Sequence, residues 1–110
     1  MTDAKSVRRL FMRELWRGLH IVWPVLSGLV VFMNLLGLAV AMQEGWPLMD
    51  GIYFSFVTGL TIGYGDVVPK TGISRVIAVL IGLTGIVLTG IVVAVAVEAL
   101  RAGLDGAGSE

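Results

Sequence analysis

Cysteine is absent from this 110-residue chain, which excludes a disulfide framework, a thiolate metal site and a cysteine nucleophile. Histidine occurs once, at His20, too few donors for an imidazole-based metal cluster. Charge is scarce: 15% of residues are Asp, Glu, Lys or Arg, against about 25% in ordinary soluble domains. No segment repeats arginine in the manner of a voltage sensor. With no clustered catalytic carboxylates either, the composition speaks against an enzyme. What fills the chain is apolar, at 56% hydrophobic residues. A soluble domain this small needs more polar residues to cover its surface, and the length allows one domain at most.

Two runs lack any Asp, Glu, Lys or Arg: Ile21 to Gln43, and Val76 to Val97. At 1.5 Å per residue each makes roughly 33 Å of helix, against a hydrocarbon core of about 30 Å. Two membrane spans follow. The first run has a rival reading, because a basic N-terminal region, an apolar stretch and Ala39-Val40-Ala41 also compose a signal peptide with its cleavage site. Signal peptides carry an apolar core of about 7–15 residues, however, and this run is longer.

Formal net charge is zero, but its distribution sets an orientation. Lys5, Arg8, Arg9, Arg13 and Arg17 precede the first run, partly offset by Asp3 and Glu14; Glu44 and Asp50 follow it. Basic residues mark the cytoplasmic side, so both termini are expected inside, as a multi-pass protein of the cell membrane. Lys70 and Arg75, on the outer side, weaken that bias without reversing it.

The organisation expected from these features has five parts. Residues 1–20 form a cytoplasmic segment in which Val7, Leu10, Phe11, Glu14, Leu15 and Gly18 follow helical spacing, flanked by Arg8, Arg9, Arg13 and Arg17. This reads either as an amphipathic helix on the membrane surface, its arginines toward anionic lipid headgroups, or as a plain extension of the first span. Residues 21–43 are the outer span and 71–101 the inner one. Residues 102–110 (AGLDGAGSE) are expected to be a flexible tail, and these 110 residues leave no room for a ligand-sensing or nucleotide-binding domain.

Residues 44–70 are too apolar for an exposed loop. From Pro47 to Thr58 runs a greasy stretch of twelve residues, whose helix of about 18 Å is too short to cross. Pro47 suits a first helical position, Asp50 complements the helix dipole, and Gly59 ends the helix. A short apolar helix followed by glycine-rich backbone is a re-entrant loop, tolerated at membrane depth only where it is buried in protein or lines a watery cavity. That points to a pore.

After the short helix comes Thr61-Ile62-Gly63-Tyr64-Gly65-Asp66. Here the chain resembles the potassium channel family, whose filter reads Thr-Val/Ile-Gly-Tyr/Phe-Gly-Asp. The resemblance extends back through Tyr53-Phe54-Ser55-Phe56-Val57-Thr58 and forward to Pro69, Arg75 and the inner-helix glycines, about half the chain. It implies an all-α membrane protein of the minimal prokaryotic type, with two transmembrane helices and a re-entrant pore helix.

The residue types make physical sense for that function. A dehydrated potassium ion needs replacement oxygens on all sides, and inward-pointing backbone carbonyls supply them. Such a backbone visits φ > 0, where Cβ clashes; Gly63 and Gly65 remove it at alternate positions. K+ would then sit at carbonyls of Thr61, Ile62, Gly63 and Tyr64, with the Thr61 hydroxyl at the inner end. Ile62 and Tyr64 side chains would brace the filter, and Asp66 would hold its outer turn through Tyr53 or concentrate cations. One loop gives one oxygen per ring, so a fourfold homotetramer is implied. The pore helices would aim their carbonyl ends at a central cavity. No cofactor beyond the permeant ion is implied.

On the inner span, Ile86, Thr89, Val93 and Val97 form one candidate pore-lining face, with a hydrophobic constriction at Val93 or Val97. Gly85 matches the family's hinge glycine and Gly90 a second small position; close helix packing is the competing explanation for both. The chain also departs from the family pattern. Val57 stands where some members place Glu, Leu60 where Thr is common, and Val68 where some carry an outer-mouth aromatic. His20, Glu98 and Arg101 are either a proton-sensing cluster or helix-end anchors, and Trp16, Trp23 and Trp46 fit aromatic belts. Two other functions remain open: a non-selective cation channel of the same architecture, which the intact Gly-Tyr-Gly opposes, and a non-conducting membrane subunit.

Overall fold

The computed structural model describes residues 4–108, with side chains as far as Gly106; Asp3 and the first residues of the 1–20 segment lie outside it. Three helices follow one another: α1 (Ala4–Glu44), α2 (Leu48–Gly59) and α3 (Gly72–Gly108). No strand occurs among the described residues, so the fold is all-α. α1 and α3 are long and apolar enough to cross a membrane. At 1.5 Å per residue their 41 and 37 residues give about 60 and 55 Å, so each also extends well past a 30 Å hydrocarbon layer. The 12 residues of α2 do not cross.

Local chemistry sets the helix ends. α1 stops at Gly45, whose φ of 74° is cheap only for glycine, and the Trp46 N–H reaches back to the Ala41 carbonyl at 2.9 Å. This is a Schellman close. It swings Trp46 onto the core, edge-on to Phe54 with ring centroids 5.5 Å apart. Pro47 is the N-cap of α2, with φ −56° and ψ 146°, one position earlier than the helical slot its ring suggested. Its carbonyl accepts the Asp50 N–H at 2.9 Å, so the residue starts the helix from outside. At α3 the Thr71 hydroxyl caps the Ser74 N–H at 3.3 Å.

The chain divides into two compact units, Ser27–Thr89 and Met1–Leu26 with Gly90–Glu110. In the first, Met33, Val40, Phe54 and Ile81 form the core. α1 and α2 touch through missing side chains: a Cβ on Gly37 would lie 1.7 Å from Ser55 Oγ, and one on Gly51 2.6 Å from the Gly37 carbonyl oxygen. Ser55, fully buried, places its hydroxyl 3.0 Å from the carbonyls of both Met33 and Gly51. α3 meets the end of α2 in the same way, backbone to backbone, at Gly85 and Gly59. Small residues with a polar bond between them are how apolar helices associate where lipid is as greasy as the side chains.

The second unit joins the beginning of α1 to the end of α3. α1 runs unbroken through residue 20, with Pro24 inside it, so the N-terminal segment extends the first span. Its stripe of Val7, Leu10, Phe11, Glu14, Leu15 and Gly18 is half-buried, while Arg8, Arg9, Arg13 and Arg17 are exposed. The stripe turns toward α3: Gly103 approaches the Val7 carbonyl and the Phe11 backbone, Gly106 approaches Leu10, and Gly18 approaches Val95. The segment 102–108, expected to be flexible, is therefore helical. Glycine is a poor helix former in isolation, but here its absent side chain admits the neighbouring helix.

Candidate functional site

The loop after α2 is folded back onto the end of that helix. Leu60 N–H donates to the Phe56 carbonyl at 2.9 Å and Thr61 N–H to Thr58 at 3.1 Å. The Val57 carbonyl accepts two donors, Ile62 N–H at 2.8 Å and Gly63 N–H at 3.1 Å. These bonds satisfy carbonyls that a helix C-terminus otherwise leaves open. They also consume the amides of the loop. Among the described residues, nothing donates to the carbonyls of Thr61, Ile62, Gly63 or Tyr64.

Every second residue of the loop has positive φ: 60° at Thr61, 59° at Gly63 and 80° at Gly65. Nothing lies within 4 Å of a Cβ built at Gly63 or Gly65, so these glycines answer a backbone requirement and no steric one. Thr61 was not expected in this conformation, which is uncommon for a β-branched residue. Its hydroxyl donates to the Leu60 carbonyl at 2.6 Å, keeping its lone pairs available. Ile62 and Tyr64 are exposed on the single chain, 47% and 69% accessible, and brace nothing within it.

The outer end of the loop is tied down twice. Tyr53 Oη donates to Asp66 Oδ2 at 2.7 Å, joining α2 to the residue after Gly65. Glu44, just beyond the uncharged run, accepts the Lys70 N–H and, at 3.3 Å, the Thr71 N–H. The Lys70 amide, more than any other neighbour, holds the Glu44 carboxyl below the usual carboxylate range. The tie therefore persists at neutral pH and is lost as acidification passes that lowered value. Local sequence shows nothing of this role for Glu44, since its partners lie 26 and 27 residues away. Glu44→Ala is expected to speed amide hydrogen exchange at Lys70 and Thr71 and leave the core of α2 protected, which exchange mass spectrometry reads directly. Tyr53→Phe removes a solvent-exposed hydrogen bond to a charged acceptor. A fall of a few degrees in melting temperature is expected from Tyr53→Phe, less from Asp66→Asn, which keeps an acceptor.

Most of the other predicted positions lie on α3. Gly85 is buried in close contact with the Gly59 carbonyl, whereas Gly90 has nothing within 4 Å. Ile86 and Thr89 in one unit, and Val93 and Val97 in the other, are all exposed on α3. Glu98 pairs with Arg101 at 3.9 Å, and His20 sits among Trp16, Leu19 and Trp23; among the described residues no bond joins His20 to Glu98. Val57 is buried beneath the loop, and its backbone carbonyl, which the sequence reading passed over, anchors the loop.

Residues 20–102 match the protein family described as "Ion channel". Among curated proteins the chain is similar to two-pore potassium channel 3 of Arabidopsis thaliana, at 30% identity over 95 residues, covering 82% of this chain and 21% of that protein. It is similar to potassium channel subfamily K member 17 of Homo sapiens, at 46% over 44 residues, 40% of this chain and 13% of that one. A voltage-gated potassium channel of Aeropyrum pernix is 49% identical over 39 residues, 36% of this chain and 13% of its own. The matches thus take in only 13–21% of these relatives' lengths. No solved structure matches the chain significantly. The family match takes in the uncharged runs of both long helices and the folded-back loop between them, and on that extent the chain is a membrane protein of the ion channel family.

Proposed function

We propose that the chain is one subunit of a homotetrameric, potassium-selective channel conducting through rings of backbone carbonyls from Thr61, Ile62, Gly63 and Tyr64. The observation that carries this is the division of labour in the loop. Its amides at 61, 62 and 63 are spent on α2, while its carbonyls at 61–64 accept nothing. Alternating sign of φ is the backbone geometry that turns successive carbonyls to one side. Four such strands about an axis supply a shell of oxygens in place of water, and the names of the relatives support potassium as the ion.

Exposure of Ile62 and Tyr64 on the single chain supports the assembly, since neighbouring subunits would cover them. The C-terminal end of α2 faces the cavity below the filter, its partial negative charge favouring a cation. Ile86, Thr89, Val93 and Val97 line the route below. The basic excess before the first span supports a cytoplasmic side for both termini, with Arg8, Arg9, Arg13 and Arg17 near anionic headgroups. Val68 at the outer mouth gives no aromatic ring, so block by external tetraethylammonium is expected to be weak, a dose–response in single-channel recordings being the check.

Reversal potential in a planar bilayer, with potassium on one side and sodium on the other, tests the function. A value near the potassium equilibrium potential supports the proposal. Robust current reversing near zero means a non-selective channel, and silence at every pH and voltage a non-conducting subunit.

A further inference from the structure

Where the cytoplasmic halves of α1 and α3 run side by side, a cavity of about 370 Å³ opens between them, lined by Glu14, Arg17, Gly18, Val95, Glu98 and Ala102 among others. That volume falls in the range of small-molecule sites, about 300–1,000 Å³. Gly18 brings the two helices together there, a Cβ on it lying 2.7 Å from Val95, and the small Ala99 and Ala102 complete the wall beside this contact.

Its polarity changes with depth. Ile21, Val22 and Val95 on the floor belong to the uncharged runs and sit at the level of lipid chains. Arg17 lies four residues before the first run begins, about 6 Å, and Glu98 directly follows the second, so both stand within the headgroup layer. Carboxylates from both helices face this mouth. Each is engaged only loosely, Glu14 with Arg17 at 3.8 Å and Glu98 with Arg101 at 3.9 Å, beyond hydrogen-bond length. The rim therefore offers two acceptor carboxylates, each with a loosely held arginine beside it, above an apolar slot.

We infer that this groove binds a phospholipid carrying a primary ammonium, of the phosphatidylethanolamine class. The phosphate meets Arg17, the ammonium donates to Glu14 and Glu98, and acyl carbons fill the floor. An anionic headgroup without an amine would meet Arg17 equally well but leave both carboxylates without a donor. A choline headgroup brings the charge without N–H donors. Since α3 is one wall, occupancy ties the inner helix to α1 near the membrane surface.

Binding is read without any current, so the inference stands or falls apart from the proposed conduction. The purified full chain, exchanged into detergent micelles doped with dioleoyl phosphatidylethanolamine, phosphatidylcholine or phosphatidylglycerol, is examined by native mass spectrometry. Expected is retention of one ethanolamine lipid per subunit, in excess of the other two. Glu98→Gln should cut that retention by roughly threefold, the scale of one exposed ionic contact. Ala102→Phe, which plugs the mouth, should abolish it with the oligomer's mass unchanged. Equal retention of all three lipids, or preference for the glycerol lipid that survives Glu98→Gln, overturns the assignment and leaves ordinary annular contact or capture by the arginines.

Discussion

Gly63→Ala is expected to abolish discrimination between potassium and sodium, moving the reversal potential from near the potassium equilibrium value to near zero. Space is not the obstacle, because a Cβ at Gly63 meets nothing within 4 Å. The obstacle is the backbone, at φ 59°. An L-residue held there costs roughly 1–2 kcal/mol, and fourfold symmetry would repeat the cost in every subunit. The strand can shed it by rotating the peptide between Ile62 and Gly63, which turns one ring of carbonyls out of the path. A selective alanine variant would mean that the carbonyls of this loop are not what the ion meets. Gly65→Ala, at φ 80°, should behave alike.

Gly85→Ala is expected to prevent assembly of a stable protein, a loss of about 3 kcal/mol, the upper end of the range typical for overpacked cores. The new methyl would lie 1.9 Å from the Gly59 carbonyl oxygen and 2.4 Å from its carbon. Both walls are backbone, so no rotamer change relieves the contact, and α2 would have to move away from α3. Gly90→Ala is the control: nothing lies within 4 Å, and the exchange should stabilise the helix by about 0.5–1 kcal/mol. Melting temperature and yield of oligomer after extraction separate the two. If Gly85→Ala folded normally and altered only opening, the hinge role would be restored.

The re-entrant helix and the loop after it were legible because their signals are local: an apolar stretch too short to cross, a terminating glycine, and glycines at alternate positions. What escaped the sequence was tertiary. Thr61 sits at φ 60° against its own preference, held by the bond of its N–H to Thr58 and of its hydroxyl to Leu60. Residues 102–108 read as a tail from composition, yet Gly103 and Gly106 are where α3 receives Val7, Leu10 and Phe11. No local pattern links Gly37 to Ser55 or Glu44 to Lys70, because each contact spans at least eighteen residues.

The loop is anchored to α2 at both ends, through the Val57 carbonyl at the inner one and Tyr53 at the outer one, and the outer end is also held to α1 through Glu44. Mechanically it is a strut slung between two mounts, and its strain depends on their separation. A change in the tilt of α1 pulls on Lys70 and Thr71, and through Thr71, which caps Ser74, on the start of α3 as well. Whatever shifts α1 against α2 therefore loads the outer end of the loop, which is held to both helices.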